Sequence, residues 1–556
     1  MNAERLLAYY ERIADAPEAI ERLREFILDL AMQGKLVEHD PPNLAARNAL
    51  TAARRFLEDK AGQTGRLRWK PSSEVLPSEV RRDVPPGWIA ARVNDTGLYI
   101  NGLAFKPSDW KSSGIPIIRI QNLTDPSKEF NYAAGDFPDE VMVRPGDVLV
   151  SWSATLDAFV WQRGDGVLNQ HIFRVIPAEG LTEPRFLHLL LHRAIREMAA
   201  SEHAHGLAMM HINRGPFMAH VVLIPSLTEQ HRIVAKVDEL MALCDQLAAA
   251  RAARETARDR LAVASLARLN IPDPDTFADD ASFALEALPA LTTRADQIKQ
   301  LRQTILNLAV AGKLVPQNPN DEPASELLKR IATKHESSVE IDHPEELGEL
   351  PPSWLAVPLI SLGSWAIGCG FPKNEQGLNK GPHFFLKVSD MNLPGNEKFI
   401  STANNLIDDE AARRMRAKIH PAGTIIFPKI GGAIATNKRR VLTKGSAIDN
   451  NCLGITFSTE LDCEWAYLLL TTLDFTKYQV GTAVPALQQG VLERIAVGLP
   501  PVAEQHRIVA KVDELMALCD RLEASLAAAA ATRRRLLDTL LAEALAPAEA
   551  REMELA

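Results

Sequence analysis

Apolar positions along the chain recur with two different periods, and each change of period marks a boundary. From Ile20 to Val37 (IERLREFILDLAMQGKLV) they fall at 20, 23, 26, 27 and 30 and stop at Gly34, which predicts an amphipathic helix with a glycine stop. The pattern returns from Ile298 to Val315 (IKQLRQTILNLAVAGKLV), again ending in Gly-Lys-Leu-Val. After each comes a proline-bearing turn and a shorter polar helix, expected over Leu44–Lys60 and Ala324–Lys334. Pro85-Pro86-Gly87-Trp88 and Pro351-Pro352-Ser353-Trp354 then open two segments of different texture, with the tryptophans expected as core anchors. Short apolar runs bounded by Gly, Pro, Asn and Asp predict strands at Ile115–Ile120, Asp147–Trp152 and Ile172–Ile176, and at Phe384–Val388, Thr424–Phe427 and Leu453–Phe457. Each segment also holds a helical run, Glu183–Ala200 or Cys463–Thr472, so both read as α+β domains.

The helical period then resumes, and here the two halves are identical. EQHRIVAKVDELMALCD runs from Glu229 to Asp245 and again, without a change, from Glu504 to Asp520. An offset of about 275 residues leaves room for a whole domain between copies and is far too long for a solenoid repeat. Ile233, Val237, Leu240, Cys244 and Leu247 step by four and three, as do Ile508, Val512, Leu515, Cys519 and Leu522, the spacing of a seam between long helices. These helices are expected to run on to about Leu269 and Leu545, rods of about 60 Å. The polar letters Glu229, Gln230, His231 and Arg232 are left to dock partners, or Glu229-Gln230 is the first turn of the helix, capped from Thr228. Asn270–Thr293, acidic and proline-containing, reads as a connector.

The expected organisation is an N-terminal helical segment and linker (1–84), a first α+β domain (85–226), a central helical region (227–350), a second α+β domain (351–501) and a C-terminal helix (502–556). Landmarks recur in order within the two domains. Pro116-Ile-Ile-Arg-Ile-Gln-Asn stands beside His383-Phe-Phe-Leu-Lys-Val-Ser-Asp, and Leu168-Asn-Gln-His beside Asp449-Asn-Asn-Cys, as in one fold with two different surfaces.

Composition narrows the class. The chain has 556 residues, 46% of them apolar. No run approaches the roughly 18 apolar residues of a membrane span, and the start is charged where a signal peptide is apolar. A cytoplasmic protein without a membrane partner is expected. The five cysteines form no CxxC pair and are expected as core thiols, with no metal role. A net charge of −9 argues against coating nucleic acid unselectively, although local basic clusters remain. The second domain is the more basic, with 15 Lys and Arg against 12 Asp and Glu over 351–500, where the first has 12 against 14 over 85–225.

The two Pro-Pro-x-Trp-initiated domains, Gly102-Leu-Ala-Phe-Lys-Pro-Ser-Asp-Trp110, Leu168-Asn-Gln-His-Ile-Phe173 and above all the doubled helix stretch resemble the specificity subunit of type I restriction-modification systems, over nearly the whole chain. The resemblance implies two target recognition domains, each reading one half of a split, asymmetric sequence in double-stranded DNA, with a pseudo-two-fold internal repeat and long antiparallel coiled-coil helices as the spacer. It implies a subunit without catalysis of its own and without a bound cofactor. Two methyltransferase (modification) subunits and restriction/translocase subunits are the implied partners, with S-adenosylmethionine, ATP and Mg2+ on those partners. Helices that dock two identical subunits have reason to be identical, and domains that read different half-sites have reason to differ.

Base readout needs paired donors or acceptors, Arg or Lys toward guanine and Asn or Gln toward adenine, whereas phosphates need only donors or positive charge. In the first domain the candidates are Lys106, Arg119, Gln121, Asn122, Asn169 and Gln170; Trp152 is expected in the core. In the second domain Pro428-Lys-Ile-Gly-Gly-Ala-Ile-Ala-Thr-Asn-Lys-Arg-Arg440 places a glycine pair before a basic run, giving Lys429, Asn437, Lys438, Arg439 and Arg440. Arg413, Arg414, Arg416 and Lys418 read as a solvated helix face.

Catalytic readings do not assemble. Asp40-Pro41-Pro42-Asn43 echoes the methyltransferase Asp-Pro-Pro-aromatic tetrapeptide but lacks its aromatic residue and an upstream glycine-rich loop. Gly312-Lys313 lacks the earlier glycine and the following Ser or Thr of a phosphate loop. His203, His205, His211 and His220 lack HExxH spacing. A coiled-coil adaptor that binds no DNA is the alternative from another class, and a self-contained methyltransferase is a third, separable by its binding of S-adenosylmethionine.

Overall fold

The Ile20–Val37 pattern folds as helix α1 (Ala19–Met32), stopped at Gly34 in the left-handed region where the Lys35 amide donates back to the Leu30 carbonyl. The computed structural model describes residues 15–40, 45–64, 67–80, 83–199, 204–205, 211–271, 273, 275–332, 341–343, 347–377, 380–481 and 484–545. The expected helix ends at Leu44 and Lys334, the tetrapeptide residues 41–43 and His203 lie outside them. The described chain divides into two units, Met1–Ala253 with Ala530–Ala556, and Arg254–Ala529.

In the first unit, strand Ile89–Arg92 pairs antiparallel with Val221–Ile224 and closes the α+β domain at its base. Four antiparallel strands form the main sheet in the order Gly97–Asn101, Ile172–Pro177, Val148–Ser151, Asp157–Val160. A second sheet orders Asn131–Ala133, Ile115–Ile118, Gly166–Leu168, Met142–Val143, and within it Ile117 and Ile118 run parallel to Val167 and Leu168. Helix α2 (Pro184–Ala199) buries Phe186, Leu187, Leu190, Leu191 and Ala194, spaced to share one face. Helix α3 (Leu227–Asn270) follows the last strand.

The second unit repeats this plan. Helix α4 (Ala295–Val310) corresponds to α1, α5 (Cys463–Thr472) to α2, and α6 (Val502–Leu545) to α3. Leu355–Pro358 pairs with Ala496–Leu499 at the base. The main sheet runs Gly363–Ile367, Cys452–Phe457, Ile425–Pro428, Arg440–Leu442, with Phe399–Ile400 added at its edge. In the smaller sheet Phe385 and Leu386 run parallel to Ala447 and Ile448, as Ile117 and Ile118 do to Val167 and Leu168. That register moves both landmark alignments by one residue: Arg119 matches Lys387, and Asn169 matches Asp449. The same tight crossing recurs too. A Cβ on Gly102 would stand 2.0 Å from the Asn169 carbonyl oxygen, and one on Gly368 1.8 Å from that of Asp449, so only glycine fits either site.

Three expectations change. The seam residues Ile233, Val237 and Cys244, with Leu240 partly buried, belong to one core with Ile27, Ala31 and Met32 of α1 and the apolar face of α2. Ile508, Val512 and Cys519, with Leu515 and Leu522, do the same with Ile298, Ile305, Trp465 and Leu469. Four-and-three spacing identifies an apolar stripe but not its partner, and these stripes pack inside their own units. Distal stretches of the long helices also pack on short ones, Ala262, Leu266 and Leu269 near Leu301, and Leu537, Leu540 and Leu541 on Ala19 and Phe26. Second, the Asn270–Thr293 connector holds a helix, Phe277–Glu286, whose Phe277, Ala281 and Ala284 face Leu266 and Leu269; its acidic residues masked a helical period. Third, Cys463 is exposed, unlike the buried Cys244, Cys452 and Cys519.

The start of the repeated stretch is internal. Glu229 and Gln230 are fully buried, as are Glu504 and Gln505. Glu229 Oε1 accepts from the Trp88 indole at 2.7 Å and lies 2.9 Å from His39 Nδ1, and its second oxygen accepts from the Asp40 amide. Gln230 accepts from the Glu183 amide and donates to the Leu181 and Pro225 carbonyls, joining α2, the last strand and α3. Gln505 accepts from the Asp462 amide and donates to the Pro500 carbonyl in the same way. Arg232 pairs with Asp40 and Arg507 with Asp321. Arg24 pairs with Asp245 and Arg302 with Asp520. The expectation that Glu229 and Gln230 face a partner is therefore corrected: they hold domain to helix, because buried polar side chains need partners and these have them.

Gln230→Ala leaves two carbonyls and an amide without partners, so it is expected to cost about 1–3 kcal/mol, and Gln505→Ala the same. His231→Ala on the exposed side should stay within about 0.5 kcal/mol of wild type. Thermal unfolding midpoints check both, and an unchanged midpoint for both glutamine variants contradicts the joint.

Candidate nucleic-acid interface

At the end of the first domain away from its base strands, backbone contacts gather most of the predicted residues. The Asn169 amide donates to the Ile118 carbonyl, next to Arg119, and the Gln170 amide donates to the Leu103 carbonyl in the 102–110 loop. Arg119, Asn169, Gln170 and that loop, which carries the exposed Lys106, thus come together. The Arg119 guanidinium lies 5.0 Å from the Trp110 ring centre and donates to Asn131 at 3.0 Å. Asn169 Oδ1 and the indole nitrogens of Trp110 and Trp152 are buried without a hydrogen-bond partner among the described residues. Gln121 is half-buried on the short helix Ile120–Thr124. Asn122 leaves the set. It is buried, accepts from the Arg119 amide and donates to the Lys128 and Glu129 carbonyls, so it staples the turn that presents Arg119. Trp152 is half-buried against His171 and Phe173.

The second domain builds the same end from other side chains. The Asp449 amide donates to the Leu386 carbonyl as Asn169 does to Ile118. Lys387 takes the place of Arg119: its amide is held by Asp390, and its ammonium lies 5.0 Å from the Phe371 ring centre and donates to Gln376. Asn450 and Asn451 are exposed where the first domain has Gln170 and His171. The Lys429 amide donates to the Asn451 carbonyl, which brings Lys429 into this group.

The basic triplet is largely engaged within the domain. Asn437, left-handed at φ 49°, donates to the Thr471 carbonyl, and Lys438 pairs with Asn392. Arg439 is 2% exposed. Its guanidinium rests 4.0 Å from the Phe475 ring centre and 5.3 Å from that of Phe427, and donates to the Leu470, Leu473 and Lys438 carbonyls. Burial pulls it down to about 9, still charged at neutral pH. Arg440 begins a strand and donates to the Met391 carbonyl. Arg439 is thus corrected from a phosphate contact to a cap on the carbonyl end of α5, where a helix favours positive charge. Lys387 and Asn450 were missed. The landmark comparison held the signal, but its register was one residue out.

Two domains of one topology, differently furnished at equivalent ends and each followed by the same helix sequence, define an internally duplicated protein. The chain belongs to the type I restriction modification DNA specificity family, whose profile matches residues 85–254 and 377–530, more than half its length. Among curated relatives, the type I restriction enzyme EcoAI specificity subunit of Escherichia coli is 27% identical, covering 94% of this chain and 93% of the relative. The EcoEI specificity subunit of the same organism is 23% identical over 95% and 94%. The solved HsdS subunit from Thermoanaerobacter tengcongensis superposes with a TM-score of 0.44 at 17% identity, covering 84% of this chain and 99% of that one. Members of this family recognise DNA sequence as non-catalytic components of restriction-modification systems. Among the described residues no helix is long and apolar enough to cross a membrane.

Arg439→Ala is expected to cost about 3 kcal/mol, because three carbonyls and two rings lose their partner, while Lys438→Ala should remain within about 0.5 kcal/mol. Urea unfolding midpoints distinguish the two, and equal midpoints contradict the capping role.

Proposed function

We propose that the chain reads a bipartite, asymmetric sequence in double-stranded DNA, one half-site per domain, and carries two modification subunits on its repeated helices. The observation that carries this reading is the pairing of sameness and difference. Backbone crossings match at Gly102 and Gly368 and at Asn169 and Asp449, while Trp110, Arg119 and Gln170 in one domain have Phe371, Lys387 and Asn450 at the corresponding places in the other. Arg and Lys both suit guanine edges and phosphates, and Asn and Gln both suit adenine, so the two ends share donor classes and differ in side-chain length, geometry and aromatic neighbour.

The outward face of the repeated stretch supports two docking sites. Buried contacts account for Glu229, Gln230, Ile233, Val237 and Cys244. His231, Ala235, Glu239, Ala242 and Leu243 remain exposed, with His506, Ala510, Glu514, Ala517 and Leu518 exposed in the copy. Leu243 is 47% and Leu518 41% exposed, large apolar side chains kept on an outer face in both copies. Two identical faces suit two copies of one partner. S-adenosylmethionine, ATP and Mg2+ belong in this reading to the modification and restriction subunits.

Mapping methylated adenines in DNA from cells that carry the assembled system should return a split motif. Exchanging residues 351–501 for those of a relative should change one half of it only; a change in both halves contradicts one half-site per domain. Leu243→Asp with Leu518→Asp should abolish co-purification with the modification subunit while the unfolding midpoint stays within about 0.5 kcal/mol. Retained assembly would sink the docking faces.

A further inference from the structure

The main-sheet strand that ends at Ser151 in the first domain and at Pro428 in the second delivers one further residue into the reading end, and its backbone is held identically in both. The Trp152 amide donates to the His171 carbonyl at 3.2 Å, and the Lys429 amide to the Asn451 carbonyl at 2.8 Å. The Trp152 carbonyl accepts from the Ile212 amide at 3.1 Å, and the Lys429 carbonyl from the Leu487 amide at 2.9 Å. Ile212 and Leu487 are the last residues of two matching two-stranded hairpins. Two residues on, Ala154 has φ 60° and Gly431 φ 73°, the same left-handed turn. A backbone pinned on both sides does not depend on the side chain it carries, and here one domain carries an indole and the other an ammonium.

The surroundings of Lys429 separate it from the other basic candidates of its domain. Lys387 is held by Gln376, Lys438 by Asn392, and Arg439 and Arg440 by main-chain carbonyls. Lys429 is half-buried, and its ammonium makes no hydrogen bond or ion pair among the described residues. It stands beside the exposed Asn450 and Asn451. A half-buried ammonium with no partner, anchored at its backbone and flanked by amides, is furnished for an acceptor pair such as guanine O6 and N7.

We propose that position 152/429 is a specificity position of both domains, and that Lys429 reads a guanine base edge in the half-site of the second domain. This rests on the reading of the chain as a two-domain DNA-recognition subunit. The first domain, with Trp152 at the same place, makes no such contact from this position.

The test uses the full chain assembled with its modification subunits and methylated-adenine mapping of genomic DNA. Wild type should give a split motif with at least one fixed G·C pair in the half that changes when residues 351–501 are exchanged. Lys429→Gln should relax or replace one such pair, lowering methylation of the original motif roughly tenfold, with the other half-site unchanged. Lys429→Arg, which keeps charge and presents a fork to guanine, should keep the letter, and it serves if the glutamine variant fails to assemble. Uniform loss of methylation across all sequences, the mark of a phosphate contact, overturns the proposal. So does an unchanged motif in the glutamine variant or a lost letter in the arginine one. A wild-type motif that is not split overturns the underlying reading instead.

Discussion

A carboxylate and an amide buried at the first turn of each long helix constrain the rest of the molecule. An ionised glutamate removed from water must be met by donors or it destabilises the fold by several kcal/mol. Glu229 meets the Trp88 indole, His39 and the Asp40 amide, which come from the domain entrance and from the turn after α1. Gln230 adds the start of α2 and the end of the last strand. One turn of helix therefore fixes four chain segments, and the Pro-Pro-x-Trp signature and the Glu-Gln pair are parts of one joint. Copying the joint into the second unit requires copying these letters, so the identity of the repeated stretch has an internal cause.

The two copies of the joint are not chemically equal. Where the first unit has His39 against Glu229, the second has Gln317 against Glu504 at 2.6 Å, and Glu504 Oε2 is buried without a partner among the described residues. Burial raises the Glu504 carboxyl above the ordinary glutamate range. The second joint is thus the less fully satisfied, although its helix sequence is the same. Identity of one partner does not ensure identity of an interaction when the facing residue has changed.

Much of the architecture was legible because it is written in periodicity. Cys463–Thr472 appears at its expected bounds, and the long helices run to Asn270 and Leu545, because apolar spacing acts locally. Partners were less legible. The stripe through Ile233 and Val237 meets α1 and α2, which no spacing rule identifies. In the candidate site, Arg119, Asn169 and Gln170 converge as expected, since they sit at strand ends that a small sheet must bring together. The basic triplet misled because charge was counted without burial. Arg439 answers helix carbonyls and two phenylalanines, and a sequence cannot distinguish that environment from a phosphate. Lys429 shows the converse, a half-buried cation whose ammonium meets no partner among the described residues.

These features together limit how recognition can change without loss of structure. At position 152/429 the main chain is held by its neighbours on both sides, so a change of side chain alters chemistry at the reading end and leaves the scaffold in place. A change of the whole domain is a different matter. Segment 351–501 carries Trp354 and Asp462 with it but leaves Gln317, Glu504 and Gln505 behind, so an incoming domain must present an amide to Gln505 and a tryptophan to the joint. Domains that enter through Pro-Pro-x-Trp and start their helix at the position of Asp462 meet that condition whatever letters they read. The constraint on exchange therefore lies at the base of the domain, where the sequence is shared, and the freedom lies at the far end, where the backbone is fixed and the side chains are not.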